Sequence, residues 1–357
     1  MPHNTTKTIS PDELRARRLI AQLLAPSQAH PLQINGADNP VAAAAAAAAA
    51  VTAVAAVTEW MVATQFQLRN SGLDALAIRS NTNKQHVEEA INQGHVVRSW
   101  SQRGTHHPLY APDVSWVTRV CTPRVQAASS KRRAGLGLTD DAVDTARTAL
   151  IKALEQAQQP LSRTQCYEVF REAGVDPDEQ RGPHMLRHFG GEGEIIQGPP
   201  HGNLESFVLH DKVVGQARDV DKKLGRERAI GELATRYITS HGPATAQDFA
   251  WWSGLTVREA KAGFAEAHTT STPPIEVTCE NVTYWMGAWQ STVTEEELIH
   301  ALTHTLRLPA FDEYILGYKD RSHVMDAALI PEVGPSKNGM CWPFVVHAGV
   351  VQGRASD

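Results

Sequence analysis

A chain of 357 residues, 42% of them apolar, carries enough hydrophobic material for about two to four small domains and does not read as a disordered polymer. Its formal net charge of −5 excludes a protein that is basic all over, so any nucleic-acid contact has to be local. No apolar run reaches the roughly eighteen residues of a membrane helix, and the opening MPHNTTKTISPDEL lacks the charged start and apolar block of a signal peptide, so a soluble cytoplasmic protein is expected.

In chain order, Pro11, Asp12 and Glu13 open a helix that the spacing of Leu14, Leu19, Ile20, Leu23 and Leu24 carries to Leu24. Arg15, Arg17 and Arg18 lie mostly off its apolar face. A polar, proline-containing linker precedes an alanine-rich helix from Val41 to about Thr64, read as a locally extended helix or an insertion without chemistry of its own. The segment Gln65-Phe66-Gln67 follows, then LDALAIRSN and a helix near Asn83 to Asn92. HVVRSWSQRGTHHPLYAP predicts two strands around a turn at Gln102 to Gly104. Helices followed by a hairpin outline a winged helix.

The outline recurs. Helices are expected over Asp140 to Glu155, in PLSRTQCYEVFREAGV and about HMLRHF, with EIIQGPP and ESFVLHD as strands. A third copy begins near Lys223: a helix ended by Gly242, a helix-turn-helix with Gly254 at the turn, and the strands PIEVTCE and VTYWMG. At copy spacings of roughly 80 to 100 residues these are tandem domains rather than a short-repeat solenoid. After Leu308 the chain turns to glycine-punctuated strands, the start of a small β domain.

Four stretches, TQFQ (Thr64 to Gln67), VVRSWSQRGTHH (Val96 to His107), HGPATAQDFAWWSGL (His241 to Leu255) and LPAFDEYILGYKDR (Leu308 to Arg321), stand in the order found in the AlkZ-like winged-helix DNA glycosylases, and the sequence resembles that family from about Leu14 onward. The resemblance is to the azinomycin-resistance type. It implies an α+β, mainly α fold: three tandem winged-helix domains around a DNA channel plus a small C-terminal β-barrel, with the short run of sequence after Gly349 pointing either to absent last strands or to a reduced barrel. The expected units are 1–135 with the Q-x-Q motif, 136–222, 223–300, and 301–357 for the barrel. The resemblance also implies that Gln65 and Gln67 are catalytic. A related branch has aspartate at the last position, so Gln67 places this sequence with the Q-x-Q branch.

Two neutral amides cannot act as a general base as a carboxylate does. A purine alkylated at N7 is already cationic and leaves with little acid catalysis. What remains is to position water and stabilise an oxocarbenium-like sugar, which amide dipoles can do. The expected function is therefore a monofunctional DNA glycosylase for cationic N7-alkylated purines, with interstrand crosslinks as a further candidate substrate, in DNA repair or self-resistance. The motif holds no lysine for a Schiff base. On an extended segment Gln65 and Gln67 would face DNA and Phe66 the core. An isolated Q-x-Q would be a plain polar segment; its flanks give it weight.

Arg98, Arg103 and Thr105 are candidate phosphate contacts, equally well a solvated hairpin, while Lys131, Arg132 and Arg133 read as a solvated linker. From Arg98 to Arg133 the only acid is Asp113, the strongest charge asymmetry in the chain. Cys121, Cys166, Cys279 and Cys341 are too dispersed for a disulfide framework or zinc knuckle, and no metal or cofactor is implied. His106 and His107 should part to opposite faces, Trp251 and Trp252 are assigned to the core, and Asp312, Glu313, Tyr314, Tyr318 and Arg321 to a structural network anchoring the β domain. The expected partner is double-stranded DNA with alkylated purines, bound by a monomer associated with the nucleoid. The competing reading is a winged-helix transcription regulator without catalysis; the absence of a dimerisation helix counts against it.

Overall fold

The computed structural model describes residues 7–33, 43–199 and 205–356; the rest of the predicted linker and the Pro/Gly/Asn turn near Pro200 lie outside the described residues. The first helix, Pro11–Ala21, starts where its chemistry dictates, with Ser10 accepting from the Glu13 amide, proline in the first turn and Asp12 and Glu13 against the positive end of the dipole. It stops short of Leu24, because Leu23 takes a left-handed conformation at φ 60° and turns the chain. Arg17 and Arg18 are buried rather than solvated. Each has a backbone carbonyl to receive it: Arg17 donates to Gln290 and Arg18 to Pro243.

Three groups of helices follow, each succeeded by an antiparallel pair of strands. Ala43–Met61, Arg69–Arg79 and Lys84–Asn92 precede Val96–Trp100 and His106–Tyr110; Asp140–Gln156, Arg163–Glu172 and Arg181–Gly191 precede Ile195–Gln197 and Ser206–Leu209; Arg226–His241, Ala246–Ser253 and Val257–Ala267 precede Ile275–Cys279 and Val282–Met286. Several starts are fixed by capping boxes, Ser162 with Gln165, Thr245 with Asp248 and Thr256 with Glu259, each satisfying two backbone donors that a helix leaves orphaned. Gly254, at φ 80°, makes the turn between the last two helices.

The hairpins do not stand alone. The first two join in one five-stranded sheet, in which Arg98 pairs with Gln197 across the seam. The third takes Lys7–Thr8 as a parallel neighbour. The alanine-rich helix is more than an inert extension: its second half buries Val51, Val54, Val57 and Met61 against Phe66, Leu73 and Leu76. Between the first two groups lie two helices for which the sequence carried no expectation, Val114–Cys121 and Pro123–Ser130. The first of these seats the fully buried Trp116, whose indole donates to Asp113.

The expected C-terminal barrel is not closed. Thr305–Leu308, Phe344–His347 and Val350–Arg354 form a three-stranded antiparallel sheet, and the chain between Leu308 and Phe344 runs through short helices instead of further strands. Three strands cannot curl into a barrel. Their apolar face, with Leu308, Phe344, Val346 and Val351, packs on Ala16, Leu19 and Ile20 of the first helix and on Ile315. Among the described residues, no helix is long and apolar enough to cross a membrane.

A buried polar network ties this sheet to the helices. Asp312 receives two hydrogen bonds of 2.8 Å from the Arg79 guanidinium, both side chains being fully buried. Burial opposes the charge on Arg79, and Asp312 more than offsets it, holding the guanidinium above its usual value. Gln22 accepts from Arg79 and donates to the Tyr318 hydroxyl, which donates to the His241 carbonyl. Asp312 also caps the short helix Glu313–Leu316. Asp312 is thus engaged by Arg79, while Glu313, also buried, lies 3.8 Å from His241.

Candidate functional site

The segment Gln65-Phe66-Gln67 joins the alanine-rich helix to Arg69–Arg79. It runs along the outer strand of the first hairpin: Ala63 bridges Leu109, and the Phe66 amide donates to the His106 carbonyl at 2.9 Å. Extended backbone alternates side chains between two faces. Phe66 accordingly enters the core at 1% exposure, and Gln67 is exposed. Gln65 is 7% exposed because the hairpin turn covers it.

Its slot is chemically specified. The Gln65 amide nitrogen donates to the Thr105 hydroxyl at 3.1 Å, and that hydroxyl donates its one hydrogen to the Gln102 carbonyl at 3.2 Å. Thr105 can therefore only accept from Gln65. The glutamine must present its nitrogen there, which leaves its carbonyl oxygen without a partner among the described residues. Thr105, expected as a phosphate contact, engages its hydroxyl with Gln65 and the Gln102 carbonyl.

Arg98 is engaged as well. It donates to the Phe66 carbonyl at 3.4 Å and to Nδ1 of His106 at 3.1 Å, and lies 3.7 Å from Glu205. Burial holds its guanidinium below the usual value, with Glu205 acting in the opposite sense. His106 is pushed down to about 3 by burial and by the charge of Arg98, so it is neutral and free to accept. His107, on the other face of the strand, is buried. Arg98 thus braces the glutamine segment from the side.

Phe66 owes its depth to Gly72. A Cβ at that position would lie 1.7 Å from the Phe66 ring. Gly72→Ala is expected to lower stability by about 1–3 kcal/mol, as overpacking does, measured by urea unfolding; an unchanged midpoint would show that the ring is not fixed by this contact.

Arg103 lies at the hairpin turn with φ 55° and donates to the carbonyls of Trp252 at 2.6 Å and Trp251 at 3.1 Å. It thereby caps the Ala246–Ser253 helix and opens onto a cleft of about 560 Å³ that also receives Arg124, Arg132 and Arg187. Of the tryptophan pair assigned to the core, Trp252 is there at 1% exposure, whereas Trp251 is 38% exposed on the cleft wall. Arg187 was not expected: it comes from the Arg181–Gly191 helix, and no spacing in the sequence links it to the basic run. Lys131, Arg132 and Arg133 do lie in the turn after Pro123–Ser130, as a linker would, but Arg133 reaches Asp140 and His188.

Comparison with known proteins places this geometry in context. The family model described as DNA glycosylase AlkZ-like matches residues 58–356. The solved structure of the Streptomyces sahachiroi DNA glycosylase AlkZ is similar, with 19% identity and a TM-score of 0.69 over 96% of this chain and 87% of that one, a likeness of fold. A search of curated proteins found no match.

Proposed function

Because the chain belongs to the AlkZ-like DNA glycosylases, we propose that it is a monofunctional glycosylase that releases cationic N7-alkylated purines from double-stranded DNA, with Gln65 and Gln67 as its catalytic residues. The observation that supports this reading is the orientation of Gln65: Thr105 takes its nitrogen, leaving the carbonyl oxygen without a partner among the described residues, two positions from the exposed Gln67.

In this mechanism the purine leaves with its bonding electrons and is neutralised as it goes. The sugar gathers positive charge, and the Gln65 carbonyl oxygen places the negative end of its dipole where that charge develops. Gln67 holds the attacking water, whose proton is lost to solvent once the new C–O bond has formed. A neutral purine would leave too slowly for two amides to help. The same chemistry extends to the linked purines of an interstrand crosslink, and the three helix-and-hairpin groups, as winged helices, would form the surface that cradles the duplex as a monomer.

The test is base release. Purified protein incubated with duplex DNA containing N7-methylguanine is expected to liberate the free base, and no release would sink the reading. The second reading, a regulator that binds DNA without chemistry, draws on the same arginine-lined cleft; a preference for one sequence over a lesion in a mobility shift would favour it.

A further inference from the structure

We propose that the cleft between the first hairpin turn, the Pro123–Ser130 and Arg181–Gly191 helices and the Ala246–Ser253 helix is a seat for the DNA backbone, in which Arg132 and Arg187 take phosphates and Trp251 supplies an aromatic wall. This rests on the reading that the chain acts on DNA. It assigns the strand contact to residues outside the glutamine segment.

The charge distribution supports this seat. The protein carries 39 acidic side chains against 34 lysines and arginines, and most of its other partly buried arginines are met by acids, among them Arg119 by Asp219 and Asp221, Arg147 by Glu192 and Glu194, and Arg236 by Asp113. The cleft breaks this rule. Four guanidinium groups line it and no carboxylate does. Among the described residues, the Arg132 and Arg187 side chains have neither a hydrogen bond nor an ion pair, whereas Arg103 and Arg124 reach the carbonyls that end the neighbouring helix. Arg187 is held below its usual value by burial and by the like charge of Arg132. A half-buried Arg187 and an exposed Arg132, like charges close together without a counter-charge, make a site that an anion would stabilise, and two guanidinium forks match phosphate oxygens.

The cleft also adjoins the glutamine segment. Gly104, at φ 68°, packs against Arg187: a Cβ there would sit 2.5 Å from a guanidinium nitrogen and as close to the Val125 side chain. The next residue, Thr105, holds Gln65. One turn thus touches both the cleft and the glutamine, so a phosphate bound by Arg187 belongs to a nucleotide close to the target in the strand. Trp251, flanked by Arg103 and Arg321 at 5.9 and 5.3 Å from its ring, offers a face on which a sugar or unstacked base can lie.

The experiment measures binding of the full chain to an undamaged duplex as a function of salt, so it does not depend on catalysis. Arg132→Gln/Arg187→Gln is expected to lower the slope of log K against log salt by about 2 and to weaken binding on the order of 30- to 100-fold near 0.1 M salt. Arg132→Lys/Arg187→Lys should restore most of the slope. If the double variant does not fold, Arg132→Gln alone, at an exposed position, should remove about 1 from the slope. An unchanged slope in a folded variant would overturn the proposal. So would loss of dGMP binding with the DNA slope intact, which would make the cleft a free-nucleotide site. A wild-type protein that shows the slope but releases no base would keep the cleft and discard the glycosylase reading.

Discussion

Replacing Gln67 with alanine is expected to slow single-turnover release of N7-methylguanine by about 10²- to 10³-fold, the cost of removing one preorganised dipole from a charge-developing centre, while the melting temperature stays where it was. The stability half of that expectation follows from Gln67 being exposed and making no hydrogen bond with the described residues. Gln65→Ala should cost a similar factor. Thr105→Val separates position from presence: it keeps the shape of the side chain but removes the hydroxyl that accepts from Gln65, so the amide can flip, and a loss of about 10-fold is expected from misorientation. Full activity in the Gln65→Ala/Gln67→Ala double variant would remove both residues from the mechanism.

The largest expected effect on stability lies far from that chemistry. Asp312→Ala should lower the free energy of unfolding by about 3–5 kcal/mol, because it strands the fully buried Arg79 guanidinium. Gln22 still accepts one bond from Arg79 but brings no charge. Replacing both partners with apolar residues, Arg79→Met/Asp312→Leu, should recover much of the loss, and urea unfolding of the three variants measures it. If Asp312→Ala were neutral, the pair would not be holding the Arg69–Arg79 helix. That helix begins two residues after Gln67, so a loosened pair should also lower base release.

What the sequence made legible was local. The first hairpin appears within a residue of its predicted place, its turn included, because Val96, Val97 and Trp100 have strand character and Gly104 takes the positive φ that the turn needs. The burial of Phe66 followed from simple alternation. The roles of neighbouring residues did not, since they depend on what the fold brings alongside. Thr105 and Arg98 lie where phosphate contacts were expected, yet turn inward to Gln65 and to the Phe66 carbonyl. Trp251 and Trp252 look alike as letters, and only the angle of one helix puts the first on a wall and the second in the core. Arg187 reaches Gly104 across more than eighty positions of chain, a distance no motif spans. The barrel failed because glycine-punctuated strands predict pairing but not closure, and the intervening chain folds into short helices instead.

The seam between Arg98 and Gln197 bears on how the molecule is assembled. It closes a loop of about a hundred residues, and the entropy of such a closure must be met before the pairing gives anything back. The pairing of the first hairpin edge with its neighbour is therefore a long-range contact that local helix and turn formation do not supply. Severing the chain near residue 135 would leave each half with a bare strand edge, prone to association, so the two halves should unfold in a single cooperative step and not behave as separable modules.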